Sequence, residues 1–408
     1  MMPRLRRGQQ RPPAARFRSV IFWLHLAAGV TAGAVILVMS VTGVLLMYER
    51  QIMEWADEDY RVATPSPGAA RLPVETLVAR VLEKNPGTPS SVTVQADPGT
   101  PVSVSLGREK TVYVDPYTGR VLGPGSKKVR AFFHAVTDWH RWLGAGGERR
   151  DTGRAVTGAA NLAFLVLVVS GLYLWLPRQW TRRQVRNVTW FRRGLPGKAR
   201  DFNWHNVIGF WSWVPLFLIV LSGVVLSYPW AGDLLFRLAG EEPPARRDGP
   251  RRTESEGGPV PLDGLDELWA VAERQMPGWR SLTLRLPGSP EDPVTFSILQ
   301  GDRGRPDLRA QLTLDRASGE IVKWEPYASQ SLGRRLRSWP RWVHTGEAGG
   351  IAGQTLAGLA SAGAAVLVWT GIALAWRRFF AAVLRRRTYS RPVHPAVSIQ
   401  GESQEEPS

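Results

Sequence analysis

Apolar residues in this chain gather in four runs, about Val20–Tyr48, Ala155–Leu176, Asn206–Trp230 and Ile351–Trp376, each nearly free of charge. Roughly 20 apolar residues cross a bilayer as a helix, so each run predicts a membrane span. Between the first and second runs, and again between the third and fourth, the pattern changes to short alternating stretches. "SVTVQ" (Ser91–Gln95), "VSVSL" (Val102–Leu106), "SLTLRL" (Ser281–Leu286) and "VTFSIL" (Val294–Leu299) read as half-buried strands. "TVYVDPYTGRVLG" (Thr111–Gly123) and "QLTLDRASGEIVKW" (Gln311–Trp324) read as strand, turn and strand. In each, an Asp opens the turn and a Gly supplies its positive-φ position. Helical spacing precedes each set, through Val74, Leu77, Val78, Val81 and Leu82, then Leu265, Leu268, Trp269 and Ala272.

The pattern predicts a mainly α membrane protein with four transmembrane helices, in which the unit of span, outer α+β domain and span is written twice. Asp115 and Asp315, like Gly119 and Gly319, lie 200 positions apart. Each run also ends on a small hydroxyl–glycine pair: Thr42-Gly43, Ser170-Gly171, Ser222-Gly223 and Thr370-Gly371. Small residues let helices approach closely in lipid, and packing suffices to explain these pairs.

Charge then orients the spans. The chain has 408 residues and a net charge of +17. Arginines crowd before the first run (Arg4 to Arg18), between the second and third (Arg178 to Arg200) and after the fourth (Arg377 to Arg391). With four spans these clusters share one side, the positive-inside pattern, so both termini are expected in the cytoplasm. Topology and contact with anionic lipid account for the charge, and nucleic-acid binding is not expected. The first run exceeds a signal-peptide core and reads as an uncleaved anchor. The absence of cysteine excludes disulfides, thiolate-held iron–sulfur clusters, thioether-linked haem and cysteine nucleophiles. Histidine is then the obvious metal ligand.

Five histidines bear on function. His25 in "LHLAAG" and His205 in "WHNVIG" open the first and third spans, with Gly29 and Gly209 four residues on and Gly43 and Gly223 eighteen on. Eighteen residues are five turns, so each histidine shares a helix face with its glycines, leaving room for something flat. His140 in "WHRWLG" and His344 in "WVHTGEAGG" precede the second and fourth spans from the other side, and His134 lies six residues before His140. A single imidazole at a membrane interface has an ordinary place among the headgroups. Four in equivalent positions point instead to two six-coordinate haem b groups, each held between two imidazoles. Gly29, Gly43, Gly209 and Gly223 are the haem-packing candidates. Trp23, Trp139, Trp142, Trp204 and Trp211 are candidate walls, and Arg18, Arg141 and Arg341 candidate propionate partners. Zinc is the rival, with Glu148 and Glu347 near the outer pair, although it prefers a larger tetrahedral ligand set.

"FWLHLAAGVTAG…SVTGVLLMYE", "DWHRWLG…NLAFLVLVVSGLYLWLPR", "NWHNVIGFW…LSGVVLSYPW" and "VHTGEAGGIAGQTLAGL…VWTGIALAWRR" resemble, in this order, the PepSY-associated transmembrane proteins. The resemblance covers nearly all of residues 18–380. It implies a bacterial inner-membrane protein of iron uptake, akin to di-haem ferric-siderophore reductases, with His25, His205, His140 and His344 in ligand positions. His134 also stands available for the outer haem. The residue before histidine is Trp at His140 and His205 and Val at His344, where the family pattern has Leu.

On this reading a basic cytoplasmic segment (1–19) leads into span 1 (20–48) and a PepSY-like domain (49–130). A histidine-bearing helix with span 2 (131–177), a basic cytoplasmic loop (178–203) and span 3 (204–230) follow. A second PepSY-like domain (231–338), a histidine segment with span 4 (339–376) and a cytoplasmic tail (377–408) complete the chain. The expected function is electron transfer across the membrane to a ferric siderophore. With no dinucleotide fingerprint in the chain, electrons come from a separate donor or from quinol. The competing readings are a non-enzymatic scaffold that binds a partner protein in iron uptake, or a transporter. Four spans without buried carboxylates are few for a transporter, unless the chain forms a homodimer.

Overall fold

The computed structural model describes residues 13–389 except 64–68, 108–109, 178, 246–261, 288 and 290. Most of the basic N-terminal cluster, Arg178, most of the Glu241–Pro259 linker and the end of the tail, including Arg391, lie outside the described residues. The first half runs α1 (Pro13–Leu46), α2 (Glu49–Ala56), α3 (Val74–Lys84), β1 (Pro89–Gln95), β2 (Val102–Leu106), β3 (Lys110–Val114), β4 (Val121–Gly123), α4 (Lys127–Trp142) and α5 (Arg150–Trp175). A short helix, α6 (Arg182–Thr189), leads to the second half: α7 (Gly197–Ser227), α8 (Pro229–Leu238), α9 (Leu265–Gln275), β5 (Ser281–Arg285), β6 (Val294–Leu299), β7 (Arg309–Leu314), β8 (Ile321–Pro326), α10 (Leu332–Ser338), α11 (Pro340–His344) and α12 (Gly350–Tyr389).

Four helices are long and apolar enough to cross a membrane: α1, α5, α7 and α12. They outrun the apolar stretches because a helix continues through polar turns beyond the hydrocarbon. The third instead ends early, where Pro229 starts α8. In the bundle α1 and α7 each pack against both α5 and α12, and so face each other across the diagonal. Ile36, Ala160, Val168, Leu216 and Ala364 fill the centre. Small residues bring the helices close: a Cβ on Gly363 would lie 2.7 Å from Ser212 Oγ.

The strands stand where the alternation places them, and their turns form as the sequence requires. Asp115 accepts from the amides of Tyr117 and Thr118, Asp315 from those of Ala317 and Ser318, and Gly119 and Gly319 adopt φ of 69° and 70°. Alternation does not foretell that the two four-stranded sets join. β1 pairs antiparallel with β5 from Ser91↔Arg285 to Gln95↔Ser281, giving one eight-stranded sheet in the order β4-β3-β2-β1-β5-β6-β7-β8. One face of it buries Val92, Val104, Val114, Leu284, Phe296 and Leu312 beneath α3 and α9 in a single apolar core.

The two helices cap each other across the seam. Asp266 accepts from the amides of Val74 and Glu75 at 2.6 and 3.3 Å, and Glu75 accepts from the amide of Asp266 at 3.3 Å. Burial holds the Asp266 carboxyl above the usual range, and the nearby Glu75 carboxylate adds to this. A raised carboxyl binds its proton more tightly folded than unfolded, so its contribution to stability falls as pH rises from the ordinary value through the folded one. Asp266→Ala, which removes the acceptor for the Val74 and Glu75 amides, should cost about 1 kcal/mol in thermal unfolding of the full chain at pH 7. Asp266→Asn, which keeps the acceptor oxygen without the charge, should melt at or above the wild-type temperature. Equal losses in both variants would show that the oxygen does not cap α3.

Candidate functional site: two imidazole pairs

Because α1 and α7 are diagonal partners, histidines at matching depths meet across the bundle axis. His25 and His205 do so at the end remote from the sheet, with ring centroids 6.5 Å apart and planes at 82°. At the sheet end the chain returns through α4 and α11, whose His140 and His344 lie 6.2 Å apart at 62°. His25 and Thr42, which contacts His140, are 17 residues apart on α1, and so are His205 and Ser222 on α7. At 1.5 Å per residue the two levels are separated by about 25 Å of helix.

Each imidazole is tied from behind. Nδ1 of His25 lies 2.8 Å from Ser170 Oγ, that of His140 2.9 Å from Thr42 Oγ1, and that of His205 2.9 Å from Thr370 Oγ1. Nδ1 of His344 lies 2.8 Å from the carbonyl of Ile219 and 3.5 Å from Ser222 Oγ. The four hydroxyls already donate to the carbonyls one turn back on their own helices, those of Val166, Val38, Val366 and Leu218. Their oxygens, like the Ile219 carbonyl, are left to accept. Nδ1 therefore carries the proton in all four rings, and Nε2 presents a lone pair.

The glycine after each hydroxyl makes room for the ring. A Cβ on Gly171 would lie 3.3 Å from Cε1 of His25, on Gly371 3.4 Å from that of His205, on Gly43 3.6 Å from that of His140, and on Gly223 3.2 Å from that of His344. The hydroxyl–glycine pairs, which packing alone explains in the sequence, are thus four cradles. α5 holds the histidine of α1, α1 that of α4, α12 that of α7, and α7 that of α11. The signal available in the sequence was their number: one pair per span and one per paired histidine.

The structure brings His140, not His134, to His344. His134 is exposed and lies 3.3 Å from Asp138. Gly43 and Gly223 border the sheet-side imidazoles, whereas Gly29 and Gly209 face Leu167 and Leu367 across helix contacts. Trp23, Trp139, Trp204 and Trp211 are exposed on the perimeter. Arg18 donates to the carbonyls of Leu174 and Leu176 at the end of α5, a helix-capping role. Asp201 corrects the expectation of spans without buried carboxylates: in α7 its side chain is 5% exposed and pairs with Arg200 at 3.0 Å and Arg377 at 2.6 Å. It lies outside the apolar run, in a polar turn that the helix extends through.

Two imidazoles whose Nδ1 atoms are both engaged from behind, with their rings 6.2–6.5 Å apart, suit a metal that takes axial imidazoles. With metal–nitrogen bonds of about 2.0 Å, a linear pair places ring centroids about 6 Å apart and a tetrahedral pair about 5 Å. The observed 6.5 and 6.2 Å match the linear case. Among the described residues no three His, Cys, Asp or Glu gather as a metal site, so Glu148 and Glu347 do not complete one with the sheet-side pair. On the perimeter of the remote end a cleft of about 350 Å³ opens between α7 and α12, bounded by the exposed Trp204 and Trp369 and by Thr370; neither His25 nor His205 lines it. The residues present fit a haem held between two imidazoles.

A membrane-spanning bundle with paired imidazoles at two depths, under a soluble antiparallel sheet, defines a multi-pass membrane protein class. The model of the PepSY-associated TM region matches residues 22–378, and the chain belongs to that family. No curated protein matches the chain.

The cradle assignment is open to a direct check by ¹⁵N NMR of histidine-labelled protein. All four rings should show a protonated Nδ1. Ser170→Ala should shift His25 towards a mixture of tautomers and leave the other three unchanged. A wild-type His25 protonated at Nε2 would refute the assignment.

Proposed function

We propose that the protein is a bacterial inner-membrane b-type haem protein that carries electrons across the membrane to ferric-siderophore iron. Its two halves are read as an internal duplication, with both termini cytoplasmic and the sheet on the outer side. The observation that carries the reading is the fourfold cradle. Packing has no need of four neutral imidazoles with fixed tautomers, turned towards one another in pairs, whereas axial ligation needs all of these.

His25 and His205 would hold one haem and His140 and His344 the other. Bound there, haem supplies one-electron Fe(III)/Fe(II) chemistry. The chain's own residues do the rest. Ser170, Thr42, Thr370, Ser222 and the Ile219 carbonyl hold each Nδ1–H, which fixes the ring and leaves Nε2 free to bind. Apolar side chains such as Ile36, Ala160, Val168 and Leu216 exclude water between the levels. The separation of about 25 Å along α1 and α7 covers most of a hydrocarbon core about 30 Å thick, so two stations suffice to cross it. Each ferric ion takes up one electron, drawn from quinol or a separate reduced donor on the cytoplasmic side, and becomes Fe(II).

The visible spectrum of the detergent-purified protein tests this. We expect bands of six-coordinate b-type haem, lost at the remote site in His25→Ala and His205→Ala and at the sheet-side site in His140→Ala and His344→Ala. Each variant should retain about half the haem, since histidine is the axial ligand at both sites. A colourless preparation from haem-replete cells would sink the reading and leave the scaffold role.

A further inference from the structure

The sheet end of the bundle carries a group of arginines that, among the described residues, form no ion pair. Arg341 stands one turn before His344 in α11, with its guanidinium carbon 5.3 Å from the ring centroid of Trp342. Arg309 opens β7 and lies 5.6 Å from the same ring. Trp342 is buried, so it offers both guanidinium groups a fixed platform. Arg303 sits in the β6–β7 loop, pinned beside Gly304, where a Cβ would lie only 2.1 Å from the carbonyl oxygen of Glu347. Sheet, α11 and the start of α12 are therefore locked together around these three side chains.

Elsewhere in the sheet region arginines find carboxylates: Arg61 with Asp97, Arg305 with Asp307, Arg334 with Glu325. Among the described residues the guanidinium groups of Arg303, Arg309 and Arg341 make no ion pair or hydrogen bond, and Arg309 Nε is buried and unpartnered. Burial, then Arg303 and Arg341, draw the Arg309 pKa below its ordinary value. Glu49 lies near enough to feel Arg303 and Arg341, yet among the described residues it forms no ion pair with either. Like charges gathered this way are costly unless an anion joins them, and guanidinium forks match the two oxygens of a carboxylate.

We propose that Arg303, Arg309 and Arg341 form a carboxylate-binding site one helical turn from the sheet-side imidazole pair, and that its ligand is an anionic, carboxylate-bearing ferric chelate. The inference rests on the proposed function and extends it by giving the acceptor a chemical class. The same chemistry has a second source, the propionates of a haem held at the sheet-side pair.

Redox-inert gallium(III) chelates separate these sources, because their binding does not depend on electron flow. Gallium–citrate, which is anionic, and a gallium hydroxamate without carboxylates would be titrated by calorimetry into the full-length, haem-loaded protein in detergent. We expect binding of gallium–citrate that weakens with salt and falls at least about tenfold in Arg303→Glu and in Arg309→Ala, with the hydroxamate unaffected, as for charge-assisted contacts. The haem spectrum and midpoint potentials should not change. Arg303 is exposed, so its variant guards against a folding defect at Arg309. Equal citrate binding by wild type and variants would overturn the proposal. So would variants that shift the haem potential while citrate binding stays intact, which would assign the arginines to the propionates. A protein without haem that still binds gallium–citrate through these arginines would refute the electron-transfer reading and leave the site standing.

Discussion

Four hydrogen-bonded tethers, each from an imidazole Nδ1–H to oxygen on a neighbouring element, set the terms for the centre of this molecule. An imidazole inside an apolar bundle must satisfy one nitrogen or bear the cost of burying it. Here the hydroxyl of a neighbouring span meets that demand for His25, His140 and His205, having already spent its own proton on the helix backbone, and the carbonyl of Ile219 meets it for His344. The remaining nitrogen is then bare. A glycine lies beside each hydroxyl and borders the ring, closely enough at Gly171 and Gly223 that a methyl group would crowd it. Tether and hollow are adjacent in sequence, so a dipeptide in one span and a histidine elsewhere make a complete unit.

Much of this was legible without coordinates. The four spans follow from apolar runs alone, and the strands from two-residue alternation at stretches such as Val102–Leu106 and Val294–Leu299. The pairing of His25 with His205 follows from depth and side, whereas the partner of His344 stands open between His134 and His140 until α4 is seen to carry His140 to it. Three further things were not legible. The hydroxyl–glycine pairs have a sufficient local explanation in close helix packing, so nothing local distinguishes a contact between helices from a cradle for a ring. Asp201 lies in a polar turn beyond an apolar run, and only the continuation of α7 shows that it is buried. The pairing of β1 with β5 depends on two strands about 190 residues apart, both with polar hydroxyls on the outer face, such as Thr93 and Thr283 at 3.0 Å. Either would read equally well as an edge strand.

The arginines at the sheet end illustrate a related limit. In the sequence Arg341 is one more basic residue at a membrane boundary, and Arg303 and Arg309 belong to a turn and a strand start. Their gathering emerges only when the β6–β7 loop is seen pressed against Glu347 and the Trp342 ring is seen beneath Arg309 and Arg341.

The seam between β1 and β5 has a mechanical consequence. Were the two α+β sets separate bodies, each half of the bundle would be free to rock against the other, as the halves of transporters with repeated spans do. A continuous eight-stranded sheet, with α3 and α9 capping each other across its middle, works as a brace over the bundle. Opening the halves would break five ladder pairs and the shared core at once. A stiff frame of this kind is poorly suited to alternating access and well suited to holding two imidazoles at a constant span. A metal centre gripped so firmly would change oxidation state with little movement of its ligands, and small nuclear rearrangement is what lets an electron pass quickly.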